Sequence, residues 1–324
     1  MPREHVQKFV SSLKERGQKT LWYRLLRFVE DDEPEGSVSD EDARLTDFDT
    51  RKCSRLLWEK NQVRKTHTAP FEIPNTKNQR RSPTWQKERA IRCTASTCKR
   101  ILGLTEESAK INFLRQHVWG LDRIETYAMR YGIEHEDEAR EAYLEKIRRI
   151  DPKIEVEVTG AWEHPKFPML LCSPDGIVKS PGMIETILLE IKCLSLTHVN
   201  PAKFYETMSP EQCKSYYLKK LSDGRVALKQ GHSYYSQVQM SLDILGLEQA
   251  HFFVWSKSGS VILPIYRDRS FFNEKRARLI AYHRNVLVPE YFLRRTVKGL
   301  PPVEVMYEEY HEDENDDYFL HNDL

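Results

Sequence analysis

The sequence predicts an α/β protein with a mixed central β-sheet flanked by helices, plus an N-terminal helical extension. Three observations predict it. Residues 170–178 and 187–194 are apolar, β-prone runs separated by a Gly/Pro turn region at 179–182, which reads as a pair of strands. A second pair, 251–255 and 261–266, is joined at Ser258-Gly259. Runs with helical spacing precede, separate and follow these pairs. An order of helix, strands, helix, strand pair, helix fits one core with a mixed sheet.

Taken in order, residues 5–29 read as a helix, with Phe9, Leu13, Leu21, Leu25 and Phe28 near helical spacing. Residues 31–49 are acidic and hold one Pro and one Gly, so they read as a linker. A short helix over 51–63 is followed by a polar, basic stretch, 65–83, whose three prolines predict a loop. The main module begins at Thr84. Thr94 or Ser96 can cap a helix running to 104. Residues 108–119 and 124–149 read as helices, the second one long. Residues 154–162 alternate and break at Gly160, as a strand would. After the apolar hairpin, 210–221 is a helix or turn containing Tyr216 and Tyr217. Residues 232–245 form a helix ended by Gly246, with Val238, Leu242 and Leu245 as its core stripe. Residues 270–286 are the closing helix. The expected organisation is therefore 1–50, helix and acidic linker; 51–83, a basic, partly irregular segment; 84–300, the main domain; and 301–324, a disordered tail.

A chain of 324 residues suits one large domain or two small ones, and 40% hydrophobic residues support a real core. The formal net charge is +1, but the charges are segregated. Residues 51–100 hold fourteen Lys or Arg against three acids, Glu59, Glu72 and Glu88. Residues 304–324 hold nine acids and no Lys or Arg. This implies a nucleic-acid-facing basic region and a solvated acidic tail, with a mobile solubilising arm as the alternative for the basic stretch. The six cysteines, at 53, 93, 98, 172, 193 and 213, show no Cys-x-x-Cys and no zinc spacing. Cys172 and Cys193 read as small core residues. A reduced, intracellular chain is expected. Nucleus, cytoplasm and mitochondrion are not distinguished: residues 1–30 are amphipathic and mostly basic like a presequence, but Glu4 and Glu15 count against one. No apolar run is long enough to span a membrane and there is no signal-peptide core, so no membrane partner is expected.

The chemistry concentrates in the first strand pair. Glu190 and Lys192 are two apart, so in a strand they share a face, and Ile191 points the other way. Asp175 lies where the neighbouring strand can bring it beside them. Two carboxylates and an ammonium on an apolar sheet face are costly to bury unpaired. A divalent cation would compensate, and two acids are hard oxygen ligands suited to Mg²⁺ or Mn²⁺. A Lys beside them can orient or help deprotonate a water. That is the chemistry of phosphodiester hydrolysis; the bland alternative is a surface hairpin with a salt-bridged Glu and Lys.

Four blocks occur in a fixed order: Arg89-Ala90-Ile91-Arg92-Cys93-Thr94-Ala95-Ser96; Gly132-Ile133-Glu134-His135-Glu136 with Ala139 and Tyr143; Pro174-Asp175 with Glu190-Ile191-Lys192; and Tyr234-Tyr235-Ser236-Gln237. Together they resemble the YqaJ-type viral recombinase, lambda exonuclease-like family of the PD-(D/E)xK nuclease superfamily, over residues 85–288. The resemblance implies a PD-(D/E)xK (restriction-endonuclease-like) core and a nuclease domain over 84–300. It implies a Mg²⁺-dependent DNA exonuclease, acting 5′-to-3′ on duplex ends in recombination or repair. It also implies an annealing recombinase as partner and a homo-oligomeric state. An endonuclease, a single-strand nuclease of the same fold, or a non-catalytic DNA-end-binding module are the alternatives.

Carried over residue by residue, the resemblance makes Asp175, Glu190, Glu136 and the backbone carbonyl of Ile191 metal ligands. Lys192 positions the attacking water, and Gln237 bonds a metal-bound water or a phosphate oxygen. On residues alone, Glu136 sits in a charge run with Glu134, Asp137, Glu138 and Glu141, and such runs usually face solvent. An Arg fork and a hydroxyl near a helix start make a phosphate site. By analogy Arg89 and Ser96 hold a 5′-terminal phosphate, with Ser173 joining them. Arg92 reads equally as a phosphate contact and as a surface salt bridge. Gln239 reads as a solvent contact or a backbone bond.

Overall fold

Residues 68–302 are described by the computed structural model; the expected helix at 5–29, the linker, the helix at 51–63 and the acidic tail from 303 lie outside them. The centre is a five-stranded mixed sheet in the order β11–β10–β7–β6–β3. Its strands are β3 (Glu155–Glu157), β6 (Gly176–Lys179), β7 (Ile187–Cys193), β10 (Gln249–Ser256) and β11 (Gly259–Tyr266). Within this sheet β7 and β10 are the parallel pair, with Glu190 opposite Phe252 and Lys192 opposite Val254. Parallel neighbours need a crossover. Here it includes α5 (Pro210–Ser215), the hairpin β8 (Leu218–Lys220) and β9 (Val226–Leu228), and α6 (Ser233–Leu245). This is the mixed α/β core that the sequence predicts.

Strand alternation divides the sheet into two faces. Leu189, Ile191, Phe253 and Trp255 pack with Tyr131, Ala139, Tyr143 and Ile147 of α4 (Tyr127–Ile147). Leu188, Phe252 and Val254 pack with Val238, Leu242 and Ile244 of α6. Phe252, Phe253, Val238 and Leu242 are fully buried, each a contribution of ~1.5–3 kcal/mol to stability. Thr126 caps α4 by accepting from Met129 N, and Gly246 ends α6 in the left-handed region at φ 65°.

Two expected strands are each split between sheets. The run 170–178 is β5 (Leu170–Cys172) and β6, separated at Ser173-Pro174-Asp175. The run 154–162 is β3 and β4 (Trp162–Glu163), separated around Gly160. β4 and β5 belong to a small second sheet, β1–β4–β5–β2, with β1 (Phe71–Glu72) and β2 (Cys93–Thr94) at its edges. The breaks have a physical cause outside both runs. Gln79 Nε2 donates to Thr159 O at 3.2 Å and to Pro174 O at 3.1 Å, tying the two breaks together. A Cβ on Gly160 would sit 2.1 Å from Thr76 Oγ1, so only glycine lets this segment close.

The stretch expected to be a loop therefore holds β1 and a 3-10 turn, Gln79–Arg81, in its described part. α1 (Pro83–Ala90) follows, capped by Ser82. α2 (Cys98–Leu102) lies within its expected helix, and α3 (Glu107–His117) begins one residue before and ends two before the expected 108–119. The closing helix, α7 (Arg269–Tyr282), passes into a π turn at His283–Leu287, and α8 (Val288–Leu293) follows.

Candidate active site

Where β5 bends away from β6, the edge of β7 is left open. The last β6–β7 pair is Gly176 with Leu189, and Asp175 N still donates to Leu189 O at 3.2 Å. Two residues further along the same edge, Ile191 N donates to Asp175 Oδ2 at 2.6 Å. A strand residue's N–H and C=O point to the same side, so the Ile191 carbonyl is directed to this edge too. Asp175 is thus fixed against β7 by main chain alone.

Glu190 points to the α6 face and is 1% exposed. Lys192 Nζ donates to Glu190 Oε1 at 2.5 Å, and Gln237 Nε2 of α6 donates to the same oxygen at 2.6 Å. Glu190 Oε2 is buried with no hydrogen-bond partner among the described residues. Burial pushes the Glu190 carboxyl up; Lys192 opposes the rise, while Asp175 and Glu136 add to it. Burial works against the charge on Lys192, but Glu190 and Asp175 outweigh it and hold its ammonium above the usual range.

Glu136 comes from α4, on the other side of β7. Its Oε1 pairs with Arg140 at 2.7 Å. Burial and then the charge of Asp175 raise it, against Arg140 and Lys192. The structure therefore brings Glu136, Asp175, Glu190 and Lys192 into one electrostatic cluster. Among the described residues, no three Asp, Glu, His or Cys side chains close into a metal cage.

The phosphate candidates separate into two groups. Arg89 donates to Ser96 Oγ at 3.0 Å, and its guanidinium lies 4.2 Å from the centre of the Trp85 ring. Trp85 Nε1 donates to Ser173 Oγ at 2.8 Å. Arg89, Ser96 and Ser173 are thus joined, two residues from Asp175. Burial, then the like charges of Arg80 and Arg123, lower Arg89 to about 10, which leaves it cationic at neutral pH. Arg92 does not join them. It is 2% exposed and four of its guanidinium bonds are to protein acceptors: it donates to Pro168 O at 2.8 Å, to Glu163 at 3.0 Å, and to both the carbonyl and carboxylate of Glu88. The salt-bridge alternative holds for Arg92, but in the interior. Gln239 is likewise a main-chain clamp, bonding Tyr266 O and Asp268 N at 2.8 Å each.

The YqaJ-like viral recombinase domain model matches residues 84–248, just over half of the chain. The chain belongs to that family. No curated protein matches it. Among solved structures it is similar to the alkaline exonuclease LHK-Exo from Laribacter hongkongensis, with 22% identity and a TM-score of 0.46 over 67% of this chain and 99% of that one. It is similar to a phage-related exonuclease from Haemophilus somnus 129PT, with 11% identity and a TM-score of 0.39 over 64% and 96%. It is also similar to the shutoff and exonuclease protein of Kaposi's sarcoma-associated herpesvirus, with 12% identity and a TM-score of 0.35 over 69% and 71%.

Within this YqaJ-like domain, the antiparallel pairing of β6 with β7 sets Pro174-Asp175 beside Glu190-Ile191-Lys192. Three participating residues carry no site role in the sequence reading. Trp85 connects Arg89 to Ser173; its place four residues before Arg89 on a helix was the available signal. Tyr234 places its ring 5.0 Å from Lys192 Nζ. Gln79, which ties the breaks beside Asp175, carries no local signal.

Proposed function

We propose that this chain is a metal-dependent DNA exonuclease that degrades duplex DNA from a 5′ end, in recombination or repair. The observation that carries the reading is Glu190: a buried carboxylate with one oxygen held by Lys192 and Gln237 and the other without a partner among the described residues. A buried orphan acceptor beside two further acids is costly unless a cation meets it. Mg²⁺ fits the donors present, because it takes one or two carboxylates, keeps several waters and accepts substrate phosphate, so it needs no closed protein cage. Asp175, Glu190 and the Ile191 carbonyl would hold it, with Glu136 on the opposite rim; Mn²⁺ suits the same oxygens. The ion, when bound, supplies Lewis-acid polarisation of the scissile phosphate and a lowered water pKa.

The chain's own residues supply positioning. Gln237 and Lys192 fix the Glu190 carboxylate from the α6 side. The Lys192 ammonium, held charged by Glu190 and Asp175, orients a water or stabilises a developing phosphate charge. Arg89 and the Ser96 and Ser173 hydroxyls offer a cation and two donors to a terminal phosphate dianion. That pocket favours exonuclease over endonuclease action, since an internal cut presents no terminal phosphate. The deciding experiment is digestion of end-labelled linear duplex and closed circular DNA, with and without Mg²⁺. Mg²⁺-dependent release of nucleotides from linear duplex only is the expected result. Efficient cutting of closed circles would replace the exonuclease by an endonuclease.

A further inference from the structure

Cations on the described surface fall into two populations. Around α4 and β3 most are matched by acids: Arg130 with Glu125, Arg140 with Asp137, Arg149 with Glu145, Lys179 with Glu157 and Lys257 with Glu138 lie within 2.5–3.4 Å. Lys146 and Arg148 donate instead to the Ser260 and Ile154 carbonyls, and Lys153 has no acidic partner among the described residues. The crossover between β7 and α6 differs. Lys203 and Arg225 there have acidic partners, Glu206 and Asp223. Lys214, Lys219, Lys220 and Lys229 have none among the described residues, nor does Lys99 beside them. Lys229 donates to the carbonyls of Cys213 and Lys214, at 3.2 and 2.8 Å, and Lys99 donates to the Gly231 carbonyl. A carbonyl orients an ammonium without neutralising it.

Chain connections lead from the candidate site to these lysines. Lys99 is three residues past Ser96, the hydroxyl that bonds Arg89. Gly231, which it holds, precedes the start of α6. There the His232 and Tyr234 rings lie 5.7 and 5.1 Å from that of Tyr217, and Tyr234 faces Lys192. Tyr217 O accepts from Lys229 N at 2.9 Å, where the β8–β9 hairpin begins. We infer that the lysine strip from Lys99 across β8–β9 binds the phosphate backbone of the duplex that leads into the site. The inference rests on the nuclease reading above and adds the track along which the substrate lies.

Duplex, not single strand, fits the strip because the aromatics of the crossover itself are covered; Tyr266, 67% exposed, is the one open ring bordering Lys219 among the described residues. Single-strand binders present open aromatic faces to bases. Here Tyr216 is buried, Tyr217 packs against Tyr216, His232 and Tyr234, and the Tyr205 ring is covered by Lys220 Nζ at 3.9 Å.

The test is the salt dependence of DNA binding by the full chain carrying Lys214→Gln, Lys219→Gln and Lys220→Gln together. All three are exposed, and none holds a residue of the candidate site. Binding to a blunt, 5′-phosphorylated duplex is measured by anisotropy in EDTA over a salt series. Each lost phosphate contact lowers the slope of log affinity against log salt by ~0.9, so the expected drop is about 2 to 3, with a roughly tenfold or greater loss of affinity near 0.1 M salt. Each single variant, expected to lower the slope by about one, serves if the triple variant loses its fold. Wild-type binding with an unchanged slope in the variants overturns the inference alone. Equal loss on single-stranded DNA overturns the assignment to duplex. Absence of Mg²⁺- or Mn²⁺-dependent hydrolysis by the wild-type chain overturns the nuclease reading instead.

Discussion

Gln237 and Lys192 donate to one and the same oxygen of Glu190, at 2.6 and 2.5 Å, and so turn its other oxygen toward a position where no donor stands among the described residues. Helix α6 thereby sets the orientation of a carboxylate on β7. Gln237→Leu should leave the fold intact and lower turnover by roughly tenfold to a hundredfold, the range expected when a supporting contact to a ligand is lost. Gln237→Glu should do worse, by adding a fourth acid to the cluster. Steady-state hydrolysis of labelled duplex checks both, and a Leu variant with wild-type turnover would remove Gln237 from the site.

A divalent ion that binds only the folded chain should stabilise it. At about a hundred times its dissociation constant the gain is ~2.7 kcal/mol. For a unit of this size each kcal/mol shifts Tm by ~2–4 °C. Thermal unfolding in Mg²⁺ or Mn²⁺ against EDTA should therefore show a rise of several degrees. Asp175→Asn and Glu190→Gln should abolish the rise. Lys192→Met should keep most of it while losing hydrolysis, because Lys192 is assigned to water and phosphate. A Lys192→Met protein that loses the thermal shift would show that its role is to hold the ion site together.

The pH dependence follows from the direction of the carboxylate shifts. Glu136 and Glu190 are both raised to about 7, chiefly by burial. A carboxyl raised on folding contributes stability that is full below its unfolded pKa and is lost as pH climbs through the folded one. The metal-free chain should lose stability between about pH 4.5 and 7 and level off above. Mg²⁺ competes with protons for these oxygens, so its thermal shift should be small at the low end of that window and complete above it. Melts in EDTA and in Mg²⁺ across the window test this. An Mg²⁺ shift independent of pH would mean the ion sits elsewhere.

Much of the site was legible because its spacing is local. Glu190 and Lys192 share a face through strand alternation alone, and Tyr234 to Gln237 is one helical turn. The helices came out within a few residues because their apolar faces are periodic. The apolar runs 154–162 and 170–178 gave no sign of changing sheets, because what bends them lies far away in sequence, at Thr76 and Gln79. β1, β2 and β4 are two residues each, too short to carry a period. The β8–β9 hairpin was within reach: Asp223-Gly224 between short runs is a hairpin turn signal. Arg92 shows the limit most clearly. Glu88, four residues earlier, was visible as a partner, but Glu163, seventy-one residues on, makes the pair an interior one.

At Gly160 the fold has no slack. An added methyl would fall 2.1 Å from Thr76 Oγ1 and 2.7 Å from the Thr76 carbonyl carbon, and backbone cannot yield as a flexible side chain can. Gly160→Ala should destabilise the chain by ~1–3 kcal/mol, as overpacking does. It should also loosen Asp175, since Gln79 ties the neighbouring Thr159 carbonyl to that of Pro174. Denaturant unfolding gives the first effect. A weaker Mg²⁺ thermal shift gives the second, and a full-sized shift in a destabilised Gly160→Ala protein would show that the two breaks move independently.

Arg89 and Arg92, three residues apart, should fail in opposite ways. Arg89 is half-buried and stacked on Trp85, with no carboxylate holding it among the described residues. Arg89→Ala should therefore cost little stability and erase most of the preference for a 5′-phosphate over a 5′-hydroxyl end, while the Mg²⁺ thermal shift survives. Trp85→Leu should reduce the same preference, because it frees both Arg89 and Ser173. Arg92→Ala removes the buried cation shared by Glu88 and Glu163, the latter 4% exposed. Breaking a buried pair from one side costs ~3–5 kcal/mol. That variant should melt many degrees lower and, while folded, keep the wild-type discrimination between end types. Rates on paired 5′-phosphoryl and 5′-hydroxyl duplexes, with melts of each protein, separate the cases. An Arg92→Ala protein of wild-type stability that had lost end discrimination would transfer the phosphate role from Arg89 to Arg92.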